Sequence, residues 1–322
     1  PLPRFEFRRL NLILFGDLGA TNARFSISND GETYHKEAQY LIEDFDSVEA
    51  LCRQYLLDKE IRKVEKGILG VAAPVTGDTI KFVNANLEFS KIETEKILFP
   101  GGLTVVNDLE LQAFALFNVK NKDLHYLGNK RINNGPKILV APGTGLGLAG
   151  VIGNSVIATE AGHINIIDSN VFPELKAIIH RFNSVSSRYP NYEDFLSGKG
   201  IEFFYSHLAG LSNSNLTSEE ILSKRDDIYC LKTKDLINNL LSSYLRSMAL
   251  AWGATGGVFL SGSIVNSLLE KDDFKRFRQE FDNSETMRDL LVDIPLAVAN
   301  IQNIGFEGAI ELSKRLNDSE LS

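Results

Sequence analysis

Asp17, Asp108, Glu160, His163 and Glu193 are the side chains whose types and surroundings point to chemistry. Asp17 stands in the stretch Ile13 to Ile27, Ile-Leu-Phe-Gly-Asp-Leu-Gly-Ala-Thr-Asn-Ala-Arg-Phe-Ser-Ile. An apolar strand enters a turn holding Asp17, Gly19 and Thr21, and a second, alternating strand leaves it. Small residues let a backbone come close to anionic oxygens, so the unit suits the phosphates of a nucleoside triphosphate. An ordinary glycine-rich hairpin has the same pattern. Asn107-Asp108 closes the buried strand Leu103–Val106 and precedes a helical run, Leu109–Phe117. Ligands of α/β proteins bind where strands end and helices begin, although an Asp108 that only caps its helix fits the same residues.

The form of the opening stretch recurs at Ile138–Ile152, Ile-Leu-Val-Ala-Pro-Gly-Thr-Gly-Leu-Gly-Leu-Ala-Gly-Val-Ile. Its turn is Gly143-Thr144-Gly145. Gly145–Gly150 also spells G-x-G-x-x-G, but the dinucleotide fingerprint must open a helix, and strand residues follow here. No Walker A sequence exists, since Gly198-Lys199 is followed by Gly200. Glu160, His163 and Glu193 form a further polar set, each near glycines.

The elements that must position these groups alternate. Strands are expected at Tyr34–Tyr40, Lys66–Val71, Thr79–Val83 and Leu103–Val106, and a helix at Asp46–Leu57. Ser90 with Glu93, and Thr217 with Glu220, have capping-box spacing. Pro173–Asn183 and Ile201–Leu208 read as helices. Asp235–Trp252 is the clearest helix, with Leu236, Leu240, Tyr244, Met248 and Trp252 at helical spacing, which makes Met248 and Trp252 core residues. After Gly253 come the strand Val258–Leu260, a helix opened by Ser261-Gly262-Ser263, the strand Ile294–Ala299 and a last helix, Phe306–Leu316. This order predicts an α/β sheet. The polar stretch Lys120–Lys137 is the expected border between two lobes.

The chain has 322 residues, 43% hydrophobic and 24% charged, enough for a substantial core in one large domain or two. A net charge of −8 argues against nucleic acid as the main partner. Cys52 and Cys230 are the only cysteines, so neither a disulfide framework nor a cysteine zinc site is available. Leu12–Phe15 is too short for a signal-peptide core, and no stretch approaches the ~18 apolar residues of a membrane span. A cytoplasmic protein without a membrane partner is expected.

Two Gly-Thr hairpins, one in each half, have the form of jaws about one triphosphate, and Gly253–Ser263 is a third glycine turn that suits a nucleoside. This order resembles the actin-like ATPase family of sugar kinases, and more closely the bacterial glucokinases that carry no zinc-binding motif. The resemblance runs from about Leu12 to Leu316. It is carried by Gly16-Asp17-Leu18-Gly19-Ala20-Thr21-Asn22-Ala23-Arg24, Asn107-Asp108, Gly143-Thr144-Gly145-Leu146-Gly147 and Glu160-Ala161-Gly162-His163. Glu193 with Leu196-Ser197-Gly198, and Gly256-Gly257-Val258-Phe259-Leu260-Ser261-Gly262, complete it.

The resemblance implies a two-lobed, ribonuclease H-like fold with a central cleft. Residues 1–117 plus 306–322 would form the small lobe, and 118–305 the large one. It implies ATP-dependent phosphorylation of glucose, with Asp108 as the base that takes the proton of the 6-hydroxyl. Asn84, Asn107, Glu160, His163 and Glu193 would bind the other sugar hydroxyls. Gly16, Gly19, Ala20, Thr21 and Asn22, with Gly143, Thr144 and Gly145, would hold the phosphates. Gly256 and Gly262 would border the adenosine, and Asp17 would position Mg²⁺ through water. The family often forms homodimers. Ala20, Leu87, Ser263 and Ile304 depart from its pattern, standing where a glycine, a tryptophan, a glycine and a proline are usual. Two other readings compete: a kinase for another sugar, such as mannose or an N-acetylhexosamine, and a sugar-binding regulator without turnover. The second predicts a missing base or phosphate turn, and Asp108 and both turns are present.

Overall fold

A computed structural model describes residues 12–83, 85–166, 173–270 and 273–320. The chain divides into one unit of Pro1–Asn118 with Asn303–Ser322, and a second of Val119–Gln302.

The first unit contains β1 (Ile13–Leu18), β2 (Asn22–Ser28), β3 (His35–Leu41), α1 (Val48–Asp58) and β4 (Lys66–Val71). It continues through β5 (Thr79–Lys81), β6 (Glu88–Ser90), α2 (Lys91–Leu98), β7 (Leu103–Asn107) and α3 (Asp108–Phe114). Its five-stranded sheet has the order β3-β2-β1-β4-β7. β1, β4 and β7 are parallel, whereas β2 and β3 add antiparallel strands by short turns. Every residue of β1 is buried, which is why it reads as a continuous apolar run broken only by Gly16 and Asp17. Val48, Leu51, Cys52 and Tyr55 of α1 join Leu14, Leu18, Phe25 and Leu69 in one core. There the ring of Tyr55 stacks on Phe25 with centroids 5.3 Å apart. Leu87, where the resemblance led to tryptophan, is buried in the same core.

The second unit begins with β8 (Leu124–Tyr126), β9 (Lys137–Pro142), β10 (Leu146–Ile152) and β11 (Ser155–Thr159). Helices α4 (Pro173–Ser186), α5 (Glu193–Leu196), α6 (Gly198–Leu208), α7 (Ser218–Ser223) and α8 (Ile228–Trp252) follow. Then come β12 (Gly257–Leu260), α9 (Ser263–Leu268), α10 (Phe274–Phe281), α11 (Arg288–Asp293) and β13 (Leu296–Ala299). The sheet order is β11-β10-β9-β12-β13-β8. It repeats the first sheet: an antiparallel trio, β11, β10 and β9, followed by β12 and β13 parallel to β9. The helix α8 begins seven residues before the expected Asp235, because the side chain of Asp227 accepts from the N–H groups of Tyr229 and Cys230. It ends at Gly253, which takes the left-handed conformation at φ 55°. Met248 is buried, and Trp252 packs against the same core with its ring over Gly150. Among the described residues no helix is long and apolar enough to cross a membrane.

The last helix, α12 (Ile304–Glu320), returns to the first unit and packs on α3, β1 and β4. Ile304 occupies its first position, where proline is favoured because the N–H there has no helical partner.

Candidate active site

In the first unit, the three parallel strands end together. Pairing of Asp17 with Gly70 and of Val71 with Asn107 sets Asp17, Ala72 and Asp108 along one edge of the sheet. With β4 between them, the backbones at Asp17 and Asp108 lie roughly 10 Å apart, two strand spacings. Asn107, not Asp108, is the cap of α3: its Oδ1 accepts from Leu109 N–H at 3.0 Å and Glu110 N–H at 3.2 Å. Its Nδ2 donates to the Ala73 carbonyl at 3.4 Å. The residue expected to read a sugar hydroxyl thus also fixes the start of the helix whose first residue is Asp108. Gly70 has no side chain for a related reason: a Cβ there would lie 3.2 Å from the Asp108 Cα and closer still to Leu111.

Asp17 is buried at the end of β1, and burial raises its pKa to about 6 against the opposing pull of Arg24. The Arg24 guanidinium stands across the hairpin, 4.0 Å from Asp17 Oδ2. Arg24 Nε donates to Gln39 Oε1 at 3.2 Å, and Gln39 Nε2 donates to Asn22 Oδ1 at 2.9 Å. The opening turn closes through Gly19 N–H to the Asn22 carbonyl at 3.0 Å, and the Thr21 carbonyl accepts from Ile42 N–H. No residue of Gly19–Thr21 has a positive φ, so Ala20 fits without strain. Gly16 lies away from this turn. A Cβ there would meet the side chains of Leu69 and Leu18, so core packing, not an approaching phosphate, calls for glycine. Gly305 presses on Asp17 from α12, with a built Cβ only 2.5 Å from Oδ2.

In the second unit, Gly143–Gly145 joins β9 to β10 with Thr144 exposed at its tip. Gly143 N–H donates to the Gly145 carbonyl at 2.8 Å, and the Gly143 carbonyl accepts from Gly198 N–H at 2.9 Å. Leu146 N–H donates to Glu193 Oε2 at 2.9 Å. Glu160 and His163 flank a short turn whose Gly162 lies on the Leu146 carbonyl, leaving no room for a Cβ. His163 Nε2 is 3.8 Å from Glu160 Oε2. Asn191 Oδ1 accepts from Asp194 N–H at 2.8 Å, which turns its Nδ2 toward His163 Nδ1 at 3.3 Å. That contact assigns the imidazole proton to Nε2, facing Glu160. Backbone bonds from Ile166 to Pro190 and from Tyr192 to Ile164 bring Glu160, His163 and Glu193 into one cluster.

Besides Gly16, Gly256 needs revision. Gly256 does not stand with Gly262. β12 runs parallel to β9 with Gly257 opposite Lys137, which puts Gly256 at the far end of the strand from Gly143. The separation along the strands is roughly 20 Å at ~3.3 Å per residue. Gly256 is buried, and a Cβ would collide with the Gly135 carbonyl. Gly262 is exposed at the near end, beside the Pro142 carbonyl, at φ 103°. Asn84 lies outside the described residues. Arg24, Gln39 and Asn191 are the polar groups that sequence reasoning left out of the site. The hairpin register makes Arg24 legible, since a tight turn pairs it with Asp17.

The whole chain resembles solved sugar kinases. A glucokinase of Balamuthia mandrillaris, in complex with glucose, matches with a TM-score of 0.81 at 18% identity, covering 95% of this chain and 94% of that one. A ROK family glucokinase of Streptomyces griseus, in complex with glucose and AMPPNP, matches with a TM-score of 0.65 at 16% identity over 94% and 99%. The duplicated sheet is therefore that of the two-lobed actin-like ATPase fold, the class of the sugar kinases. The glucokinase family model matches residues 14–315. A glucokinase of Helicobacter pylori is 31% identical over 318 residues, covering 92% of this chain and 94% of its own. The chain belongs to the glucokinase family.

Proposed function

We propose that the protein transfers the γ-phosphoryl group of ATP to the 6-hydroxyl of glucose, giving glucose 6-phosphate and ADP. The observation that carries this reading is Asp108 at the carboxyl end of β7, aimed by an Asn107 cap, on the same sheet edge as the buried Asp17. Phosphoryl transfer has a loose transition state, so catalysis is largely positioning and charge neutralisation. A 6-hydroxyl is weakly acidic, and Asp108 accepts its proton as the new P–O bond forms. Asn107, Glu160, His163 and Glu193 hydrogen-bond the remaining hydroxyls, and an epimer leaves one of these polar groups unpaired. The Gly19–Asn22 and Gly143–Gly145 turns hold the phosphates, with the Gly19 and Gly143 N–H groups closing the turns themselves, and Gly262 borders the nucleoside.

Asp17 fits Mg²⁺. It is a buried carboxylate whose charge desolvation penalises, and Mg²⁺ characteristically takes one or two carboxylates while its other ligands are water and phosphate oxygens. Among the described residues no group of three His, Cys, Asp or Glu side chains forms an all-protein cage. When bound, the cation neutralises charge on the transferring phosphate. A cytoplasmic location, with Cys52 and Cys230 as buried free thiols, and a homodimer go with this reading.

Coupled ADP release with a panel of hexoses tests it, with Asp108→Asn beside the unaltered protein. Glucose-dependent turnover is expected, falling by about 10²–10⁴-fold in the variant while glucose still binds. Full activity of Asp108→Asn removes Asp108 from the chemistry. Turnover with mannose or an amino sugar, but none with glucose, removes the glucose assignment.

A further inference from the structure

The segment Glu193–Gly198 grips the Gly143–Gly145 turn at both ends. Its first residue accepts from Leu146 N–H through Oε2 at 2.9 Å, just past the turn. Its last donates from Gly198 N–H to the Gly143 carbonyl at 2.9 Å, at the start of the turn. Helix α5 and the Ser197 cap of α6 make the segment one rigid piece, with Ser197 Oγ accepting from Gly200 N–H. The corresponding turn of the first unit, Gly19–Thr21, is closed by the backbone bonds of Gly19 N–H to the Asn22 carbonyl and Ile42 N–H to the Thr21 carbonyl. The second turn, besides its backbone bonds, rests on a half-buried carboxylate, and that carboxylate clusters with Glu160 and His163.

We propose that Glu193 is a positioning residue for the phosphate turn, through which sugar and nucleotide strengthen each other's binding. This rests on the function proposed above. A carboxylate has two oxygens and about four lone-pair sites, so one group accepts from a backbone N–H and from a sugar hydroxyl together. A hydroxyl held on Oε1 fixes the carboxylate plane and so fixes Oε2 on Leu146 N–H. The turn is then ordered before the nucleotide arrives, and the ordering entropy is already spent. By linkage the effect is reciprocal: nucleotide on the turn raises glucose affinity by the same factor.

Titration calorimetry with AMPPNP and Mg²⁺, without sugar and with saturating glucose, tests this on the full chain. The variants are Glu193→Leu, Glu193→Gln and Gly198→Pro. In the unaltered protein glucose tightens AMPPNP binding. Glu193→Leu is expected to weaken AMPPNP about tenfold without any sugar present, the scale of one charge-assisted hydrogen bond, and to abolish the coupling. Glu193→Gln keeps an acceptor for Leu146 N–H and restores most of the sugar-free affinity. Gly198→Pro removes the second anchor and sets the proline Cδ against the Gly143 carbonyl, so it displaces that end of the turn without touching Glu193. Position 198 is the first of α6, where proline is favoured, and Ser197 at φ −110° and ψ 172° already has the backbone that precedes proline. It is expected to weaken AMPPNP while leaving glucose binding alone unchanged. Unchanged sugar-free AMPPNP affinity in Glu193→Leu and Gly198→Pro, with only glucose weakened in the former, overturns the proposal and leaves Glu193 a sugar ligand. Absence of glucose-dependent ADP release from the unaltered protein overturns the underlying reading, and this inference with it.

Discussion

Above about pH 6, the buried charge of Asp17 costs the first unit stability. Its pKa is raised from 3.8 to about 6, chiefly by desolvation, with Arg24 pulling the other way. A carboxyl that binds its proton more tightly in the folded state stabilises the fold fully below its unfolded pKa. That contribution is lost as pH rises through about 6. Above this pH the folded chain carries a buried charge at a cost on the order of 3 kcal/mol. Asp17→Asn is therefore expected to raise stability at pH 8 by about 1–3 kcal/mol and to change it little at pH 4. Urea midpoints at the two pH values measure this, and the same variant should lose phosphoryl transfer. An equal or lower midpoint at pH 8 would mean that burial does not penalise the charge. Such a trade of stability for activity is common where a site must keep a charged group dry.

At the scale of elements, glycines report where backbones meet. Gly308 of α12 lies on the Leu111 carbonyl of α3, and a built Cβ falls 1.7 Å from that oxygen. Gly308→Ala must push α12 off α3, with an expected loss of about 1–3 kcal/mol in urea unfolding and a lower turnover, because α3 carries Asp108. Gly256→Ala and Gly262→Ala separate the two ends of β12. The first is expected to destabilise without affecting AMPPNP affinity in the fraction that remains folded, whereas the second weakens AMPPNP. The reverse pattern would return Gly256 to the nucleotide. Much of this architecture is legible in the sequence because it is local: both hairpins, β4, the Thr217–Glu220 capping box and the body of α8 arise from neighbouring residues. What is not legible depends on register. Gly256 and Gly262 share one motif, but only the pairing of β12 with β9 reveals that they stand at opposite ends. Asn107 and Asp108 are both good caps and both accept from Leu109 N–H, and only the further bond from Glu110 N–H makes Asn107 the cap. The start of α8 is blurred by exposed Ile228, Tyr229 and Leu231, which break the apolar stripe.

For the whole molecule, the discontinuous first unit dominates. Residues Asn303–Ser322 belong to it, although Val119–Gln302 forms the second unit on its own. A chain cut after Gln302 is expected to lose amide-exchange protection throughout β1, β4 and α3, while β9 and β12 keep theirs. Protection retained in β1 would mean that α12 is dispensable. The same connectivity matters during synthesis. As the chain leaves the ribosome, Pro1–Asn118 emerges before Val119–Gln302, and α12 only after it. At about 5–20 residues per second, the intervening segment takes roughly 10–40 s to translate. Throughout that interval the nascent first unit presents the apolar surface of β1, β4 and α3 that α12 will later cover. The second unit can fold in the meantime, so demand for chaperones falls on the unit that starts before it and is completed after it.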